Sequence, residues 1–378
     1  MTWLLIAAAA PSLLISWLAG WLMRRAAPRF GLVDKPGHRK VHVAPTPLGG
    51  GIAIWLGLAA PLAVGQILLW SLEATGDGYR IAGHWPLPAT IATHVGGLLQ
   101  QTPKLWIMLA AGTVLMLLGL ADDRWGLDWR LRIATQAAVA LAVVSYWPGW
   151  RITLFVEQPW LTMAISVCWI VGLVNSFNML DNMDGLSAGV AAIASVMLAA
   201  VLLTTPSPVT HQPQLFVSGF LILLVGSLAG FLWHNRPPAR LFMGDAGSYL
   251  IGYCLAMATS MATFTGGELP THAILTPLCV LAVPLYDTIT VVWIRLREGR
   301  SPFEGDKNHF SHRLVEMGMT KGQAVLTIYL TTATCGLGAL LLHQVDELGA
   351  WIILLLVGCV LTLVGVLETT SRRNRREP

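Results

Sequence analysis

Long apolar runs separated by short polar connections occupy almost the whole chain. Eleven runs stand out, at about residues 3–23, 48–70, 105–121, 131–147, 160–177, 185–203, 215–233, 247–264, 273–294, 323–343 and 349–368. Each is close to the roughly 17–25 residues that a helix needs to cross the hydrocarbon of a bilayer. The pattern therefore predicts an all-α, polytopic integral membrane protein with about eleven transmembrane helices. One connection, 71–104, is long and rich in Gly, Pro and Thr, without a strong helical period. It is expected to form a cap or short hairpin. Residues 1–368 are read as a single transmembrane domain and 369–378 as a basic tail.

Charge placement orients these spans. If the chain starts outside, every Lys and Arg except Arg80, Lys104 and Arg151 falls on inner connections or the tail. That asymmetry places the N-terminus outside and the C-terminus in the cytoplasm. No positive charge precedes the first apolar run, and Arg24 and Arg25 follow it, so it reads as an uncleaved span. The chain is 55% hydrophobic and only 12% charged, whereas soluble domains average about 25% charged residues. A soluble enzyme with a single anchor is excluded. The five cysteines lie inside apolar runs, none in C-x-x-C, and read as small core residues. No nucleic-acid partner is expected.

The acids share the asymmetry of the bases. Asp122 and Asp123 end the third run, Asp181 and Asp184 lie between the fifth and sixth, and Asp245 opens the eighth. Acids so near hydrocarbon are costly unless paired, hydrated or metal-bound. Three clusters at one depth point to one site built from several helix ends. In NSFNMLDNMDGLSAG, 175–189, a continuous helix would align Asn178, Asp181 and Asp184 as one stripe of oxygen donors. Such donors suit a hard cation such as Mg²⁺, while helix capping is the plainer explanation. The adjacent carboxylates Asp122 and Asp123 repel and need a cation, a proton or a substrate's metal, or else form a hydrophilic turn with Arg124. In RLFMGDAGS, Asp245 can cap its helix or face a metal.

Two basic loops complete the pattern. RLREGRSPFEGDKNHFSHRL, 295–314, contains Arg300, His309, His312 and Arg313, with the two imidazoles three residues apart. GLVDKPGHRKVHVAPTPLGGG, 31–51, contains Lys40 and His42 before a Gly-rich turn. Acids imply Mg²⁺, bases imply phosphate, and the site borders lipid. The economical reading is phosphoryl transfer between a soluble phosphorylated donor and a lipid phosphate.

The motifs GLADDRWGL, NSFNMLDNMDGLSAG, FLWHNRPPARLFMGDAGS and GRSPFEGDKNHFSHRL follow the 31–51 loop in this order. Together they resemble the polyprenyl-phosphate N-acetylhexosamine-1-phosphate transferases, on their undecaprenyl-phosphate N-acetylglucosaminyl-1-phosphate branch. The resemblance implies transfer of a sugar 1-phosphate from a UDP-sugar to undecaprenyl phosphate at the cytoplasmic face of the plasma membrane, with Mg²⁺ (Mn²⁺ as an alternative) and release of UMP. It implies Asp245 and Asn178 as metal ligands, and Asp122, Asp123 and Asp181 as catalytic or positioning acids. Asp184, Gly185, Leu186 and Asn235 would bind the nucleotide. His309, His312, Arg313, Arg300, Lys40 and His42 would meet the donor's phosphates and sugar. The family's H-x-H-H loop here has Ser311 in place of its middle imidazole. The PTPLGG turn favours N-acetylglucosamine as the sugar, and a homodimer is kept open as the assembly.

Two other classes compete. An ion-coupled transporter would explain Asp287, an acid inside the ninth span, but transporters place such groups near the midplane and these acids gather at one face. Asp287 is expected instead to pair with a basic group near the site. A CDP-alcohol phosphotransferase would need a D-G-x-x-A-R motif that is absent.

Overall fold

The computed structural model describes residues 2–34, 45–75, 78–208, 211–267, 269–303 and 308–374. Lys40 and His42, residues 304–307 and the end of the basic tail lie outside these. In chain order the elements begin with α1 (Thr2–Ala26), β1 (Val33–Asp34), β2 (Thr46–Pro47) and α2 (Gly50–Trp70). Then come β3 (Leu72–Thr75), β4 (Gly78–Ile81), β5 (Trp85–Pro86) and α3 (Ala89–Ala92). The helices α4 (Val95–Trp125), α5 (Trp129–Tyr146), α6 (Pro159–Leu180), α7 (Leu186–Thr204), α8 (Leu215–Asn235) and α9 (Gly244–Met261) follow. The chain finishes with α10 (Thr276–Val280), α11 (Ala282–Arg297), α12 (Phe310–Glu316), α13 (Lys321–Leu341) and α14 (Glu347–Asn374).

A helix occupies each of the eleven apolar runs. Among the described residues seven are long and apolar enough to cross a membrane: α2, α4, α6, α7, α8, α13 and α14. A bent pair, in which the segment ending with α10 meets α11 at 68°, makes an eighth if it is counted as one span. The chain is thus a mostly helical, polytopic membrane protein. The cap or short hairpin expected between α2 and α4 forms. Connection 71–104 contains a three-stranded antiparallel meander, β3-β4-β5, with Leu72 opposite Ile81 and Ile81 opposite Trp85. α4 also starts ten residues before the apolar run expected at 105, since helix continues through polar residues once its hydrogen-bond ladder is established. A second small sheet pairs β1 with β2, Val33 opposite Pro47.

Large apolar side chains such as Leu14, Leu18, Ile67, Leu355 and Leu356 remain exposed on the outer helices, as a lipid-facing surface requires. Helix α9 is the opposite case, buried from Ala246 to Ser260. It is enclosed by α2, α4 and α6, each meeting it at a glycine. A methyl group at Gly51 would sit 2.4 Å from Gly247 N, and one at Gly119 2.3 Å from Asp245 O. On the far side, a methyl at Gly252 of α9 itself would lie 2.7 Å from Leu173 O of α6. Small residues let backbones approach this closely where lipid supplies no hydrophobic drive for helix association. The N-terminus of α9, which carries Asp245, is thereby fixed against the C-terminal turn of α4.

Candidate active site

The polar helix ends converge on a cavity of about 540 Å³, lined by Asp34, Asp122, Asp123, Arg132, Asp181, Asn182, Asp184, Asn235, Asp245, His309, His312 and Lys321 among others. That volume is in the range of small-molecule sites.

The close approach of α4 and α9 gives the two adjacent acids different tasks. Asp123 accepts the N–H groups of Asp245 at 2.8 Å and Ala246 at 3.3 Å, so it caps α9 from a neighbouring helix. Asp122 instead accepts Leu127 N–H at 2.6 Å and Arg132 Nη1 at 2.6 Å. Arg132 also lies 3.6 Å from Asp245 Oδ2. The repulsion expected of an adjacent pair is therefore answered twice, by a helix N-terminus and by an arginine that the sequence reading had counted only for topology. Its position ten residues after Asp122, past the Gly126 turn, was the available signal. Tyr249, one turn beyond Asp245, donates toward Asp122 at 3.3 Å and Asp245 at 3.5 Å.

Asn178 reaches Asp245 from α6. Its Nδ2 donates to Asp245 Oδ1 at 2.8 Å and to Ser248 Oγ at 3.0 Å. This leaves its amide oxygen without a protein hydrogen bond among the described residues. The single stripe expected from Asn178 through Asp184 does not form. Helix α6 ends at Leu180, Asn182 donates back to Met179 O, and Gly185 turns the chain in a left-handed conformation (φ 77°) into α7. Short-range amide bonds and a glycine outcompete the helix here. Asp181 is left in the turn, where burial and then the charges of Asp123 and Asp184 push its carboxyl up to about 8.

The Asp184–Leu186 segment is tied to the connection after α8. Asp184 Oδ2 accepts Ala239 N–H at 2.9 Å, Gly185 N–H donates to Asn235 Oδ1 at 2.9 Å, and Asn235 Nδ2 donates to Leu241 O at 3.0 Å. Tyr329 of α13 closes the group by donating to Gly185 O at 2.5 Å. Leu186 is fully buried and lies behind this wall. Lys321, at the start of α13, lines the cavity although the sequence reading gave it no chemistry.

The basic loop divides. His309 and His312 line the cavity with ring centroids 6.3 Å apart. Asp287, fully buried in α11, is their anchor: its carboxylate lies 2.9 Å from His309 Nδ1 and accepts Phe310 N–H at 2.5 Å. The basic partner expected for Asp287 is thus His309. Ser311, between the two histidines, donates to Asn182 Oδ1. Arg313 is buried behind the loop, donating to Asn308 O at 2.7 Å and Thr290 Oγ1 at 3.2 Å, and Arg300 pairs with Glu298 at 2.5 Å. Neither is among the residues that line the cavity: Arg313 is turned toward Asn308 and Thr290, and Arg300 toward Glu298.

Six carboxylates thus border the cavity against the permanent cations Arg132 and Lys321. Among the described residues that line it, negative charge remains in surplus even with Asp181 protonated. Among the described residues no three His, Cys, Asp or Glu side chains gather tightly enough to hold a metal ion by themselves. The donors are all oxygen around Asp245 and Asn178, and a hard cation that takes only one or two protein carboxylates fits them.

A membrane protein whose helix ends assemble an acidic cavity of small-molecule size, rimmed by imidazoles, is the class that the fold and site define. The chain belongs to glycosyl transferase family 4, the polyprenyl-phosphate N-acetylglucosamine-phosphate transferases, whose family description matches residues 105–263, from α4 to α9. It is 33% identical over 349 residues to decaprenyl-phosphate N-acetylglucosaminephosphotransferase of Mycobacterium tuberculosis, covering 86% of this chain and 79% of that one. It is 26% identical to the probable undecaprenyl-phosphate N-acetylglucosaminyl 1-phosphate transferase of Bacillus subtilis, covering 94% and 89%. Against undecaprenyl-phosphate alpha-N-acetylglucosaminyl 1-phosphate transferase of Escherichia coli K12 the identity is 27%, over 88% and 82%. The family expected from the motifs is the family found.

Proposed function

We propose that this protein transfers N-acetylglucosamine 1-phosphate from UDP-N-acetylglucosamine to a polyprenyl phosphate, in the first place undecaprenyl phosphate. The products are a polyprenyl-diphosphate-linked sugar and UMP, and the step begins the membrane stage of a cell-envelope polysaccharide. The observation that carries this reading is the convergence of Asp245, held by Asn178, with Asp122, held by Arg132, on a cavity that His309 and His312 also line. The names of the relatives support the acceptor and the sugar. The concentration of Lys and Arg at this end of the bundle supports a cytoplasmic site.

In this reading an oxygen of the lipid phosphate attacks the phosphorus next to the sugar, and the bond from that phosphorus to the UMP oxygen breaks. The acceptor is already an anion, so positioning and charge neutralisation outweigh base catalysis. Asp245 and Asn178 would hold Mg²⁺, which supplies positive charge to the donor's pyrophosphate. Arg132 and Lys321 add cationic contacts, and the two histidines hydrogen-bonding nitrogens, to the transferred group and the leaving phosphate. Asp123 keeps Asp245 in place through the N-terminus of α9. Asp184, Gly185 and Asn235 form the wall against which the nucleotide rests. Asp181, whose carboxyl is raised to about 8 by burial and by the charges of Asp123 and Asp184, lines the cavity beside the nucleotide wall.

The test is UMP release by purified protein given Mg²⁺, undecaprenyl phosphate and a panel of UDP-sugars. UDP-N-acetylglucosamine should give UMP, and Asp245→Ala and Asp122→Asn should abolish it while the protein stays folded. Release from no sugar would refute the transferase and favour an ion-coupled transporter.

A further inference from the structure

A second polar cavity, of about 410 Å³, opens beside the first and has the opposite charge. It lies between the C-terminal turn of α1, the β2 segment and the connection after α8, and is lined by Trp21, Arg24, Arg25, Pro45, Pro47 and Arg240 among others. Among the described residues no carboxylate lines it. Among the described residues none of the three arginines has an acidic partner within ion-pair distance. Arg25 lies 3.8 Å over the Trp21 ring, a cation–π contact at the rim.

Positive residues at a helix C-terminus and at one membrane face are ordinary. Those rules account for Arg24 and Arg25 on α1. They do not bring Arg240, more than two hundred positions later, to the same concavity. The segment that carries Arg240 is held on both sides. Arg240 N–H donates to His234 O at 2.8 Å, and the neighbouring Ala239 N–H donates to Asp184 of the acidic cavity. The connection is therefore a wall shared by two sites of opposite charge.

We propose that this cavity binds the phosphate of an anionic membrane lipid. Guanidinium forks match phosphate oxygens in geometry as well as charge, and three of them converge here. A free phosphate shares that chemistry, but the outer face of α1 argues for a lipid. Leu14, Leu18 and Leu22 form an exposed apolar stripe at helical spacing that leads to Trp21 and the arginines. An acyl chain can lie along that stripe with its headgroup in the cavity. The assignment does not depend on the reaction at the acidic site.

Native mass spectrometry of the protein in a neutral detergent tests it, using dioleoyl phosphatidylglycerol against dioleoyl phosphatidylcholine. The wild type should retain phosphatidylglycerol preferentially. Arg24→Gln combined with Arg240→Gln should weaken that retention on the order of tenfold, leaving phosphatidylcholine unchanged. Arg25→Gln, at an exposed rim position where folding is not at risk, should give a smaller loss in the same direction. Equal retention by wild type and both variants would overturn the site. Thermal protection of the wild type by millimolar inorganic phosphate, with no preference for phosphatidylglycerol, would overturn the lipid assignment.

Discussion

Replacing Gly119 by alanine tests whether the close approach of α4 and α9 is what positions Asp245. The added methyl would lie 2.3 Å from Asp245 O and 2.4 Å from Ala246 N. Both are backbone atoms, so no rotamer change relieves the contact. Restoring ordinary van der Waals separation, at least 3.4 Å, moves the start of α9 away from α4 by about 1 Å. That displacement breaks the bonds from Asp123 to Asp245 N–H and Ala246 N–H, now 2.8 and 3.3 Å. Overpacking of this kind costs about 1–3 kcal/mol, and a misplacement of about 1 Å at reacting groups costs on the order of 100-fold in rate. UMP release and the thermal unfolding midpoint in detergent should be measured together. Gly112→Ala on the same helix is the control, because its methyl would meet only the side chains of Leu250 and Tyr253, at 3.3 Å. It should keep activity within a few-fold, since flexible side chains can yield. Wild-type transfer and stability in Gly119→Ala would refute the argument.

Other changes follow from the same geometry. Asp181→Asn should stabilise the protein in Mg²⁺-free buffer in a pH-dependent way. A carboxyl raised to about 8 holds its proton in the folded state while the unfolded chain loses it near 4, so wild-type stability falls as pH rises between those values. The advantage of the variant should therefore be absent near pH 4 and largest above pH 8; a difference in melting temperature that does not vary with pH would contradict this. Arg132→Gln removes the cation bonded to Asp122 and should cost about 1–3 kcal/mol in chelator, a loss that added Mg²⁺ reduces. Asp287→Leu strips His309 and the Phe310 N–H of their buried acceptor and should destabilise by about 3–5 kcal/mol. Asp287→Asn, which can keep the Phe310 bond, should cost less by the same chemical-denaturation assay.

Much of the candidate site is legible in the sequence. The acids at three run ends, and the histidines of the 295–314 loop, were singled out because charge so near hydrocarbon needs a reason. Asp122, Asp123, Asp181, Asp184, Asp245, His309 and His312 do line one cavity. Arg132 and Lys321 were missed, since a basic residue at a helix start satisfies the positive-inside pattern without further explanation. Arg313 and Arg300 lie away from the cavity lining for the complementary reason. Their charge suggested phosphate, but each had nearer partners on its own segment.

Hydropathy alone determined that this chain lives in lipid and where its helices run, because a bilayer demands length and apolarity from each span separately. It also placed the polar groups at helix ends, since the span interiors reject them. Only the tertiary structure decided how those groups divide their work. Asp123 caps a helix 122 positions away, Asp245 shares an amide with a helix 67 positions before it, and His309 takes its orientation from an acid in another span. Such pairings depend on which helices lie side by side and how closely their glycines let them approach, and no local period in a sequence records that distance.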